Sequence, residues 1–264
     1  MIKVHVLPCG STKVDEALPF GCRSRNPLAY TGILRGQKHK ISVPVTTYLI
    51  EHPKGLVLVD TGWDTAIRDN ARQYEGFANY FASPGFLPEG EAMTEHLGRL
   101  GYQPSDLDYV IMTHMDIDHA GGIGLVKDAK HIMCSEAEWQ TAGGHHVRYL
   151  KRLWKDIYVE TFPDSDYDLL GDGTVMLLPM HGHSAGMTAV KVGKNADYLI
   201  IAGDAGYGRP SWEELILPGV EWNKKEALAS LKRLQAFGKD PCCQAILMTH
   251  DTDMKQRLFQ ITEG

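Results

Sequence analysis

The sequence predicts an α/β layer protein, and two observations carry that prediction. Short apolar runs that read as strands alternate with segments of helical spacing through both halves of the 264-residue chain. Histidine and aspartate repeatedly follow those runs directly, where chain ends leaving a sheet can point side chains into one crevice. No Ser/Gly/Pro-rich linker, repeat or low-complexity stretch divides the chain, so residues 1–264 are read as one domain.

Taken in order, residues 1–8 (MIKVHVLP) alternate as a strand does. Residues 41–52 (ISVPVTTYLIEH) and 56–60 (LVLVD) flank the turn Pro53-Lys54-Gly55 and form an expected hairpin. Residues 91–100 space Met93, Leu97 and Leu100 along one helical face, and Gly101 ends that helix as a C-cap. Residues 108–113 (DYVIMT) read as a buried strand, 120–126 as helix and 131–134 as a short strand. Residues 135–142 read as a helix opened by a capping box of Ser135 and Glu138. In the second half, 175–179, 188–192, 198–202 and 245–249 are expected strands, and 224–237 an expected helix.

Charge and composition narrow the function. The chain carries 27 Lys+Arg against 33 Asp+Glu, a formal charge of -6, and no concentrated basic face, which argues against nucleic-acid binding. No apolar run approaches the roughly 18 residues that span a bilayer, so no membrane association is expected. The N-terminus lacks a basic segment followed by an apolar one. The five cysteines, Cys9, Cys22, Cys134, Cys242 and Cys243, include no CxxC pair. Both features fit a cytoplasmic protein with reduced thiols.

The chemistry concentrates at strand ends. In Thr113-His114-Met115-Asp116-Ile117-Asp118-His119, residues two apart share a face, so His114, Asp116 and Asp118 can converge, with His119 on the turn into a helix. Imidazole and carboxylate without cysteine suit zinc, iron or manganese. A polar loop in which Asp118 caps a helix is the competing reading. Three further strand ends offer His183 (with His181 two residues earlier), Asp204 and His250. Four such sites in one chain point to a two-metal centre.

These residues resemble the metallo-β-lactamase superfamily, and within it the N-acyl homoserine lactonases. The family's HxHxDH motif aligns with 114–119, its later histidine with His183, its bridging aspartate with Asp204 and its final histidine with His250. The Asp60-Thr61-Gly62 segment is similar to the family's DTG turn, whose aspartate supports a metal ligand from behind. Tyr207, three residues after Asp204, and the stretch Gly101-Tyr102-Gln103-Pro104 carry the lactonase likeness. The resemblance covers nearly the whole chain. It implies an αββα four-layer sandwich, two divalent metal ions and, as in family members that dimerise, a homodimer.

The resemblance also implies roles. A metal-bridging hydroxide would attack a lactone carbonyl, Tyr207 would stabilise the developing oxyanion, and Asp118 would act as both ligand and general acid. One metal would take His114, Asp116 and His183, the other Asp118, His119 and His250, with Asp204 between them. The chain departs from the family at Asp116, which stands where the second histidine is usual. Zinc is the metal implied by the family; the extra carboxylate tilts selection toward iron or manganese and, with Asp118, Asp204 and hydroxide, would make the ligand set more negative.

Small-molecule lactones are the leading substrate class. Thioesters and phosphodiesters are the alternatives within the fold, and Asp116 also brings a di-iron oxidoreductase, or a non-catalytic metal-binding module, into view. The aromatic segment at Tyr74, Phe77, Tyr80, Phe81 and Phe86 supplies candidate substrate contacts, Phe77 and Phe86 foremost, against the alternative that it packs a loop onto the sheet. His96 and the pair His145-His146 are read as solvated.

Overall fold

The computed structural model describes the chain except residues 22–25, 27, 145–147, 195, 256 and 263–264, so Cys22, His145 and His146 lie outside the described residues. In chain order the strands are β1 (Ile2–Asp15), β2 (Lys40–His52), β3 (Gly55–Val59), β4 (Gly85–Phe86), β5 (Tyr109–Ile111), β6 (His131–Ser135) and β7 (Glu160–Phe162), followed by β8 (Tyr167–Asp168), β9 (Val175–Pro179), β10 (Thr188–Lys194), β11 (Asp197–Gly203), β12 (Cys243–Met248) and β13 (Arg257–Ile261). The helices are α1 (Ala17–Phe20), α2 (Ile67–Glu75), α3 (Phe77–Ala82), α4 (Met93–Leu100), α5 (Ile117–Ala120), α6 (Glu136–Gly144), α7 (Arg209–Glu213) and α8 (Lys224–Lys239).

Two sheets stack face to face. One runs β13-β1-β2-β3-β5-β6-β7 with β4 added on β1; the other runs β12-β11-β10-β9-β8. Strand alternation builds the space between them. Ile2, Val4, Val6, Val57 and Val59 from the first sheet meet Leu177, Val190, Val192, Leu199 and Ile201 from the second. The opposite face of the first sheet carries Leu49, Leu56 and Leu58 against Met93 and Leu97 of α4. On the far side, Leu231 and Leu234 of α8 cover Leu178, Ile200 and Ala202. Helices therefore flank a double sheet in the αββα order the resemblance implies.

The expected hairpin is the antiparallel β2–β3 pair, with Glu51 opposite Leu56. The helix expected over 120–126 is instead the single turn of α5 followed by a 3-10 segment at Gly121–Val126. Close packing explains the change: a Cβ on Gly122 would sit 2.5 Å from the Thr61 carbonyl oxygen, so the glycines let this segment lie directly on the 61–63 turn. The capping box at Ser135 is only half formed. The Glu138 amide donates to Ser135 Oγ at 3.2 Å, while the Glu138 carboxylate is used elsewhere. His96 is buried, donating from Nε2 to the Pro8 carbonyl at 2.6 Å and accepting at Nδ1 from Arg99 at 2.7 Å; its place on the inner face of α4 overrides the solvated reading. No helix among the described residues is long and apolar enough to cross a membrane.

Candidate metal centre

Strand direction gathers the polar residues. β3, β5, β11 and β12 deliver their carboxyl ends, and the β9–β10 connection its bend, to one edge of the double sheet. There the structure brings together His114, Asp116, Asp118, His119, His183, Asp204 and His250. Ligand atoms of His114, Asp116 and His183 lie within 4.8 Å of one another, as do those of Asp118, His119 and His250, and of His114, His119 and Asp204. Asp204 spans the groups, with Oδ1 3.2 Å from His119 Nε2 and Oδ2 3.2 Å from His250 Nε2 and 3.8 Å from His183 Nε2.

The opposite ring nitrogens are tied into the protein. His250 Nδ1 donates to the Pro44 carbonyl at 2.7 Å, which fixes the hydrogen on that nitrogen because a carbonyl only accepts. His119 Nδ1 lies 2.8 Å from Asp60 Oδ2. The Thr113 hydroxyl donates to the same oxygen at 2.8 Å and meets His114 Nδ1 at 3.1 Å. Three imidazoles thus turn Nε2 toward the shared space, the arrangement in which outer hydrogen bonds orient metal-binding rings. Asp60 reaches this position in a left-handed conformation, φ 60°, and its Oδ1 also accepts from the Thr113 amide at 2.8 Å. A non-glycine residue held there is strained, and its three bonds offset that cost.

The donor set fits cations. His114 Nε2, His119 Nε2 and Asp204 Oδ1 are buried and make no hydrogen bond, a costly state for polar atoms that nothing else satisfies. Burial alone would lower His250, yet the carboxylates of Asp204 and Asp118 push it up to about 10. His119 rises well above its usual range against burial, through Asp204 and Asp60. Burial opposes ionisation of Asp204, but His250 and His119 hold it well below the usual carboxylate range. The cluster demands positive charge at its centre, and two divalent cations held by these residues would meet that demand.

Two residues that brace the cluster carried no sequence signal of that role. Arg148 grips Asp116 with a two-pronged contact, Nε to Oδ1 at 2.6 Å and Nη2 to Oδ2 at 2.7 Å, and its Nη1 donates to the His183 carbonyl at 2.9 Å. Glu138 is fully buried and accepts from the Met115 amide at 3.0 Å, the Ser184 hydroxyl at 2.7 Å and the Gly186 amide at 3.1 Å. Its partners flank His114 and His183, so one carboxylate fastens the two loops that carry them. The pattern that could have pointed to Glu138, its offset from Ser135, was read as a local cap.

Tyr207 is buried, its ring stacked on His250 with centroids 5.2 Å apart and planes 11° off parallel. His181 pairs with Asp164 at 2.9 Å, away from the centre. A cavity of about 190 Å³ opens over the cluster. Asp116, Asp118, Arg148, His183, Asp204, Tyr207 and His250 form its floor, and Val14, Leu18, Val43, Ala82 and Val220 its apolar wall. Phe77 and Phe86 do not line it. They are 71% and 64% exposed: α3 turns Asn79 and Ala82 toward the cavity and leaves Phe77 outside, and Phe86 points out from the short strand β4. Phe77 instead borders a separate basic groove with Lys13, Arg35 and Lys40.

Comparison with known proteins agrees with this geometry. A profile of the metallo-β-lactamase superfamily matches residues 42–244. An N-acyl homoserine lactonase of Bacillus cereus is 32% identical over 237 residues, covering 88% of this chain and 87% of that protein. The N-acyl homoserine lactonase AttM of Rhizobium radiobacter is 28% identical over 228 residues, covering 83% and 86%. Among solved structures, an N-acyl homoserine lactone hydrolase with N-hexanoyl-L-homoserine bound at its catalytic metal centre superposes with a TM-score of 0.80 at 26% identity, covering 95% of this chain and 94% of that one.

Proposed function

The chain belongs to the metallo-β-lactamase superfamily of hydrolases, and from that premise we propose that it opens the lactone ring of N-acyl homoserine lactones. The observation that carries the reading is the convergence of four imidazoles and three carboxylates beneath an apolar-walled cavity into which Tyr207 is packed. His114, Asp116 and His183 would hold one divalent cation, Asp118, His119 and His250 the other, and Asp204 would contact both. Bound there, the cations supply a water made acidic enough to attack at neutral pH and positive charge that polarises the carbonyl.

The protein's own residues do the rest. The wall of Val14, Leu18, Val43 and Val220 takes the acyl chain and excludes bulk water. As the water oxygen bonds to the carbonyl carbon, the Tyr207 hydroxyl donates to the carbonyl oxygen where negative charge develops, a contribution of about 3 kcal/mol in comparable sites. Burial, with the Asp204 charge adding to it, raises the Tyr207 hydroxyl well above its usual range, so it remains a donor. Asp118, on the cavity floor, accepts the proton released from the water and returns it to the ring oxygen as the C–O bond breaks.

A phosphodiester is less well served. Arg148 is the one Lys or Arg among the described residues lining the cavity, and its fork is already engaged by Asp116. The test is elemental analysis of protein from metal-supplemented cells together with hydrolysis of N-hexanoyl- and N-decanoyl-homoserine lactone. Two cations per chain and chelator-sensitive ring opening are expected. Two cations with neither lactone opened would remove the substrate assignment and leave the hydrolase.

A further inference from the structure

The first metal position has an unusual pairing: a carboxylate donor gripped by a guanidinium on the floor of the same cavity. Asp116 Oδ2 lies 3.3 Å from His114 Nε2 and 3.2 Å from His183 Nε2, inside the ligand cluster, and 2.7 Å from Arg148 Nη2. One oxygen therefore faces the imidazoles and the guanidinium at once, while Oδ1 is committed to Arg148 Nε at 2.6 Å. The second bond matters geometrically, because a carboxylate fixed at both oxygens cannot rotate Oδ2 away from the cluster. Arg148 also donates to the His183 carbonyl, so a single side chain locates two of the three donors at this position.

The charges reinforce the geometry. Asp116, Asp118 and Asp204 present three negative charges to the cluster, and the Arg148 guanidinium beside Asp116 reduces that to two. A neutral imidazole at position 116 would present two as well. The pair therefore supplies a ligand atom without changing the charge that bound cations meet.

We propose that Arg148 is the positioning residue of the first metal position, and that Asp116 and Arg148 act as one unit standing in for a neutral ligand. This rests on the two-cation reading above. The unit explains why Arg148, 32 residues away in sequence, reaches back to Asp116, and why that arginine is not free to bind an anionic substrate.

The test is a mutant cycle read by metal content and chelator resistance of the purified, metal-loaded protein, with hydrolysis as a second readout. Arg148→Met should retain one of two cations normally and lose the other roughly 10- to 100-fold faster to chelator, the usual cost of removing an orienting partner. Arg148→Lys keeps the charge but not the fork, and should fall between the two, which separates positioning from misfolding. Asp116→His alone should also lose the first cation faster, because it leaves Arg148 unpaired beside the cluster. The double variant Asp116→His/Arg148→Met should recover retention toward that of the parent. Retention by Arg148→Met within about threefold of the parent, or equal retention by Asp116→His and the double variant, would overturn the proposal. Fewer than two cations in the parent protein would instead overturn the two-cation reading.

Discussion

The Ser184 hydroxyl donates to the Glu138 carboxylate at 2.7 Å across 46 residues of sequence. That bond lies in the fully buried interior between the loop bearing His114 to His119 and the loop bearing His183, and Glu138 bonds both loops. The histidine and aspartate cluster is thus braced by an acidic side chain that bonds to Met115, Ser184 and Gly186, on the loops that carry His114 and His183.

Glu138→Gln keeps the volume but turns an amide donor, or a single carbonyl, toward three donors. At least one buried group then loses its acceptor, at on the order of 3 kcal/mol for charge-assisted bonds in the interior. We expect a melting temperature lower by about 10 °C, using the scaling for chains of this size. Thermal melts of the metal-free protein would read it, and an unchanged midpoint would show that the loops hold without Glu138.

Asp60→Asn separates backbone from chemistry. Asparagine tolerates the left-handed φ of 60°, so the turn should persist, but the carboxylate that orients His119 Nδ1 at 2.8 Å is gone. Cation affinity should drop roughly 10- to 100-fold with little loss of secondary structure. Titration with metal, followed by circular dichroism on the same samples, distinguishes this from unfolding.

Tyr207→Phe retains the ring stacked on His250 and removes only the hydroxyl. Metal content should stay at the parent value while kcat on a homoserine lactone falls about 100-fold with a small change in KM, as for a donor used in the transition state. A change confined to KM would place Tyr207 in ground-state binding instead.

Glu75 predicts a pH dependence. Burial pushes its carboxyl up from 4.5 to about 7, against the pull of the Gly85 amide and aided by the Asp118 charge. The folded state then holds a proton that the unfolded chain has released between those values, so stability falls as pH rises through this window. The loss is absent below about pH 4.5 and complete above about pH 7, where it reaches roughly 3 kcal/mol. Glu75→Gln should flatten this profile, melting higher than the parent at pH 8.5 and close to it near pH 4.5. Parallel profiles would contradict the assignment.

How far the sequence reached follows from the range of its signals. Alternating apolar residues located β2, β3, β5, β9, β10, β11 and β12 to within a few residues, because side-chain period and burial are local properties of a strand. Donors near such strands were legible for the same reason: His114, His183, Asp204 and His250 sit just beyond strand ends, Asp116, Asp118 and His119 follow His114 on the turn into α5, and layered sheets bring such ends to one edge. Spacing from Asp204 likewise singled out Tyr207. The 3-10 segment after α5 was not legible, since it arises from glycines pressed against the distant 61–63 turn.

Tertiary structure alone decided the partners of those donors. The Arg148 and Glu138 side chains each act through three hydrogen bonds to residues tens of positions away in sequence, and no periodicity or spacing records contacts of that kind. It also decided which face of α3 meets the cavity, turning Asn79 and Ala82 inward and leaving Phe77 exposed. The chain's local pattern fixes which atoms can bind a cation; packing fixes their orientation and net charge, because both depend on groups that only the folded chain brings within a few ångströms.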